Sequence, residues 1–116
     1  MARAPHLARG VAAERYARRW LEQHGLTFIC ANYRCRAGEL DLVMSEAQCL
    51  VIVEVRYRHH PSHGGALGSI TPTKRERIMR ATRHLLQRHP ALQQQALRFD
   101  VLALTGDDNA IDVDWR

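Results

Sequence analysis

Two apolar stretches interrupted by acids constrain this chain more than any other feature. The first is Gly38-Glu39-Leu40-Asp41-Leu42-Val43-Met44, and the second is Leu50-Val51-Ile52-Val53-Glu54-Val55-Arg56-Tyr57-Arg58. Both read as strands. Side chains alternate along a strand, so Glu39, Asp41 and Val43 are expected on one face and Leu40, Leu42 and Met44 on the other. In the second stretch Ile52, Glu54 and Arg56 oppose Val51, Val53 and Val55. Carboxylates among β-branched neighbours cost several kcal/mol to bury unless something pairs with them. A divalent metal ion is one such partner.

The connection between the strands, Ser45-Glu46-Ala47-Gln48, contains no Asn-Gly or Gly-Gly pair. A four-residue loop therefore suits it better than a tight two-residue turn. That loop sets Glu39 opposite Glu54, whereas the tighter turn would set Asp41 opposite Glu54. In either register the acids share a face, with opposed Cβ atoms about 5 Å apart.

A chain of 116 residues supplies one core, so residues 1–116 are expected to form a single domain with its core at about 10–104. No apolar run approaches the roughly 20 residues that cross a bilayer, which argues against a membrane partner. The net charge is +5, and the basic excess is almost all arginine. A basic, arginine-rich surface attracts phosphate, and nucleic acid is the first partner it suggests. Cys30, Cys35 and Cys49 lack metal-finger spacing, and no signal-like apolar segment stands at the N-terminus. Reduced thiols in the cytoplasm are the expectation.

Residues 5–24 read as a first helix with Ala13, Tyr16, Ala17, Trp20, Leu21 and His24 on one arc, ended by Gly25. Glu14 borders that arc. It either faces whatever the helix packs on or forms an exposed pair with Arg18. Residues 27–34 read as a strand. The Gly-rich stretch after Arg58, with His59, His60, His63 and Gly64, reads as a mobile loop. A second helix starts near Thr71, with Pro72 in its first turn and Thr73 with Glu76 as a capping box, and runs to about residue 89. Ile78, Ala81 and Leu85 form its buried side, with Lys74 in line at the N-terminal end. Arg77, Arg80, Arg83 and His84 lie on another arc, either a solvated face or a phosphate-tracking ridge. Residues 98–104 and 111–115 complete the strands, with Asp100 expected to cap or to pair with Arg98 or the first helix rather than bind metal, and an edge-like final strand that could join a second copy into a homodimer. The order gives one mixed α/β sheet flanked by helices.

Clustered carboxylates beside cations suit Mg2+ (or Mn2+) and phosphodiester hydrolysis. Asp41 and Glu54 are the expected ligands, with the Val55 carbonyl and Glu39 as further oxygens. Arg34, Arg36, Arg58, Lys74 and Arg77 are the expected contacts to nucleic acid, DNA first.

At this point the chain resembles the YraN (UPF0102) group of small bacterial proteins, which is placed with restriction-endonuclease-like nucleases. The matching residues are Gly10 with Glu14, Ala17 and Leu21; Asn32 with Arg34; Gly38-Glu39-Leu40-Asp41; Val53-Glu54-Val55-Arg56 with Arg58; Gly64; Lys74; and Arg98-Phe99-Asp100-Val101. The resemblance implies an αβββαβ core in a restriction-endonuclease-like mixed β-sheet. It also implies a site in which Asp41 and Glu54 hold the metal and Glu14 contributes. The nuclease pattern has lysine two residues after the glutamate, where this chain has Arg56. Arginine keeps its proton, so Arg56 is expected to clamp phosphate rather than act as a base, with Lys74 supplying the ammonium. Two readings stay open: a metal-dependent endonuclease on DNA, branched or damaged DNA included, and a nucleic-acid-binding adaptor on the nuclease scaffold.

Overall fold

A computed structural model describes residues 7–58, 70–107 and 110–116. The expected loop at His59, His60, His63 and Gly64 lies outside them. The elements are α1 (Leu7–Gln23), β1 (Thr27–Cys35), β2 (Gly38–Glu46), β3 (Cys49–Arg58), α2 (Pro72–Arg88), a 3-10 turn (Pro90–Gln94), β4 (Ala96–Asp107) and β5 (Ala110–Trp115). The sheet order is β1-β2-β3-β4-β5. Only β3 and β4 pair in parallel, across the crossover that carries α2. The mixed α/β sheet flanked by helices is therefore present, with the αβββαβ order followed by β5.

The helices cover opposite faces. Ala13, Ala17 and Leu21 of α1 pack on Leu42, Met44, Val51, Val53, Leu102 and Leu104. Ala81 and Leu85 of α2 pack on Leu40, Val43, Leu50 and Ile52. Of the arc expected on α1, Tyr16 is 40% exposed and His24 is exposed. The covering stripe is narrower than its periodicity suggested, because Ala13, Ala17 and Leu21 form the buried contact and Trp20 packs at its edge. Trp20 docks edge-on against Trp115, with ring centroids 5.6 Å apart. Gly25 ends α1 at φ +97, a conformation glycine adopts without a Cβ clash. Thr71, not Thr73, caps α2: its Oγ1 accepts from the Lys74 N–H at 3.1 Å, and Pro72 fills the first turn.

The hairpin departs from expectation in two ways. Glu46 pairs with Cys49, so Ala47 and Gln48 alone form the turn, with Ala47 at φ 53. Strand pairing on both sides of the turn holds an alanine in a conformation its Cβ disfavours. The alternation also slips at Asp41. Leu40 joins the α2 cluster while Leu42 joins the α1 cluster, so Leu40 does not share a face with Leu42 and Met44, nor Val43 with the acids. The reason is local, since the β2–β3 ladder runs only as far as Leu42 and Val53. Beyond it the Val55 N–H donates 2.9 Å to Asp41 Oδ2 in place of a β2 carbonyl.

Candidate metal centre

The parting of β2 and β3 creates the site. Carried one step past the ladder, the register sets Asp41 beside Glu54, as the tight turn requires. Oxygens of Glu14, Glu39 and Asp41 lie within 4.8 Å of one another. α1 thus delivers Glu14 from one face of the sheet, and its alternative partner Arg18 pairs instead with Glu22 at 3.5 Å. Asn32 bonds the Glu14 carboxylate from a strand position held at φ 54. Asparagine tolerates that region better than most residues, which is the one sequence signal for a contact the periodicity did not reveal.

From the other face comes α2. Glu54 is buried at 7% exposure, and the Lys74 ammonium sits 2.8 Å from its Oε1. Lys74 is the chain's single lysine, so its place on the buried acid of the site stands out against the surrounding arginines. Arg56 approaches the same oxygen at 3.7 Å. Arg34 lies 3.3 Å from Glu39 with its side chain 74% exposed, an ion pair open enough to exchange for another anion. Arg58 and Arg77 are exposed. Arg36 does not join this group and lines a separate cleft along α2. Asp100 pairs with Arg98 at 3.0 Å and accepts from Trp115 Nε1 at 2.8 Å, so it holds β4 to β5.

Charge in the cluster is unbalanced. Burial, then the Glu54 charge, pushes the Asp41 carboxyl up to about 7; the Val55 N–H opposes this, and Glu14 adds to it. Burial raises Glu14 as well, with Glu39 and Glu54 adding to it while Asn32 and Arg34 oppose it. Acids that crowd together and resist ionisation are relieved by a cation among them. The donors are all hard carboxylate oxygens, which fit Mg2+ or Mn2+ rather than a soft-metal site. Glu14, Glu39 and Asp41 are the residues that would hold the ion. Glu54 joins the cluster through its hydrogen bond with Asp41, and Val55 through its N–H, which donates to Asp41.

Fold and site together define an α/β domain whose sheet carries a carboxylate cluster where two central strands part, enclosed by a helix from each face. Comparison with known proteins then gives the family. The model of "Uncharacterised protein family UPF0102" matches residues 13–104, which span the cluster, α2 and most of β4. A UPF0102 protein of Alkalilimnicola ehrlichii is 49% identical over 104 residues, covering 90% of this chain and 82% of the relative. Another from Aeromonas hydrophila is 48% identical over 101 residues, covering 86% and 78%. One from Nitrosococcus oceani is 41% identical over 112 residues, covering 97% and 90%. The chain belongs to the UPF0102 family. No helix among the described residues is long and apolar enough to cross a membrane.

Proposed function

We propose that this protein is a Mg2+- or Mn2+-dependent endonuclease acting on DNA, with branched or damaged DNA as substrates. The observation that carries the reading is the convergence of Glu14, Glu39 and Asp41 within 4.8 Å, with Lys74 held against Glu54 beside them. Structural ion pairs alone explain this arrangement poorly, because the acids face one another and one of them is pushed to about 7. Bound there, the ion would supply a lowered pKa for water and neutralise charge at the phosphate. Glu14, Glu39 and Asp41 would hold the ion, with the Val55 carbonyl a further oxygen it would have within the same strand gap. Lys74, an ammonium with rotatable donors, positions the attacking water or offsets charge developing on the phosphate. Arg56, a guanidinium with a planar fork of donors, clamps a phosphate oxygen. Arg34, Arg58 and Arg77 track the backbone from the exposed rim.

A second reading is favoured by Arg56 itself, which stands where the nuclease pattern has lysine: a nucleic-acid-binding adaptor that keeps the scaffold without turnover. One experiment separates the two. Labelled linear, single-stranded and branched DNA are incubated with the wild type, Asp41→Ala and Glu54→Ala in Mg2+, Mn2+ or EDTA. Metal-dependent cutting that both substitutions abolish supports the nuclease, and salt-sensitive binding without cutting supports the adaptor. Neither cutting nor salt-sensitive binding sinks both readings.

A further inference from the structure

A second polar concavity lies away from the acids. A cleft of about 340 Å³ between the β1–β2 turn and the middle of α2 is lined by Cys35, Arg36, Arg80, Arg83, His84 and Gln87 among others. Three guanidinium groups and an imidazole from two elements thus meet there. Arg80 shares its charge with Glu76 at 2.7 Å. The guanidinium groups of Arg36 and Arg83 make no hydrogen bond or ion pair with any described residue. The Tyr33 hydroxyl holds His84 through Nδ1, which leaves the ring's other nitrogen available to a ligand.

The fold enforces this approach of like charges. A Cβ at Gly38 would lie 3.3 Å from the Cβ of Arg77, so the missing side chain lets the Arg36-bearing turn seat closely against α2. Arginines brought together on two packed elements repel unless an anion lies between them, and guanidinium groups match phosphate geometry bidentately.

We infer that the cleft formed by Arg36, Arg80, Arg83 and His84 holds a backbone phosphate of a nucleic-acid strand. The inference rests on the nucleic-acid reading proposed above, and binding in the cleft requires no cutting. The test is fluorescence anisotropy of a labelled 20-base-pair duplex in EDTA across a salt series. It compares the wild type, Arg36→Gln/Arg83→Gln, Arg36→Lys/Arg83→Lys and the control Arg19→Gln on α1.

The glutamine pair should weaken binding about tenfold or more at 0.1 M salt and lower the salt slope by about one. The lysine pair should recover most of the affinity, and the control should match the wild type. Both arginines are exposed and their side chains unpaired among the described residues, and unchanged melting of the variants establishes that the fold is intact. Equal affinity in the glutamine pair overturns the inference. If His84 resonances nevertheless respond to inorganic phosphate, the cleft is a small-anion pocket, which also overturns it. Metal-dependent cutting lost in Asp41→Ala, with unchanged duplex affinity in the glutamine pair, sinks the cleft and spares the nuclease. Weakened binding in the glutamine pair with no cutting by the wild type does the reverse.

Discussion

In metal-free buffer, replacing the central acid should make the protein more stable, and more so at high pH. Asp41 is raised from 3.8 to about 7, first by burial and then by Glu54. A carboxyl raised in this way binds its proton more tightly in the folded state. Its contribution to stability is therefore complete below pH 3.8 and is lost as pH rises through about 7. The interval of about three pH units corresponds to about 4 kcal/mol at 1.4 kcal/mol each. Asp41 is only partly enclosed and titrates jointly with Glu54, so about half, about 2 kcal/mol, is a fairer figure. Asp41→Asn removes that cost while keeping an oxygen to accept from the Val55 N–H. For a chain of this size, about 4 °C of melting temperature accompanies each kcal/mol. The variant should melt about 8 °C higher than the wild type at pH 8.5 and about 3 °C higher at pH 5, measured in EDTA. Added Mg2+ should narrow the difference, because only the wild type gains from binding it. A variant no more stable than the wild type at pH 8.5, or a gain that ignores pH, would refute the reasoning.

Other perturbations act elsewhere in the structure. Lys74→Met strands the buried Glu54 carboxylate and should cost about 1–3 kcal/mol in urea unfolding, most of it recovered in Lys74→Met/Glu54→Gln. Asp100→Ala removes the acceptor shared by Arg98 and Trp115 and should cost about 3 kcal/mol, with a changed near-ultraviolet tryptophan signal. Gly106→Ala should cost more than about 3 kcal/mol in thermal unfolding, because Gly106 sits at φ +128 and a Cβ there would lie 2.0 Å from the Ala110 carbonyl oxygen.

Where side-chain period alone decides structure, the sequence was readable. The alternation along β3, the Ala13-Ala17-Leu21 stripe and the Ala81-Leu85 face all follow it, and Lys74 falls in line with its helix's buried side. Glu14's inward aim was one of two readings that the pattern allowed. Reading failed where tertiary pairing overrides local preference. Ala47 carries no turn signature because its positive φ is imposed by the strands on either side. The change of faces at Asp41 comes from a ladder that ends at Leu42 and Val53, and no residue type announces that. Arg80 and Arg83 are exposed, as one of the two readings of their arc has it, but the turn that completes their cleft is more than forty residues away in the chain. Gly38 was the only hint of so close an approach, and a glycine opening a strand has commoner explanations.

Whether the acids gather a divalent ion is read by Mn2+ binding followed with electron paramagnetic resonance. The wild type should take up Mn2+ in competition with Mg2+, and Asp41→Asn and Glu14→Gln should each weaken uptake by about tenfold or more. Absence of uptake at millimolar Mn2+, or equal uptake by all three proteins, would contradict a divalent-ion site at the acids.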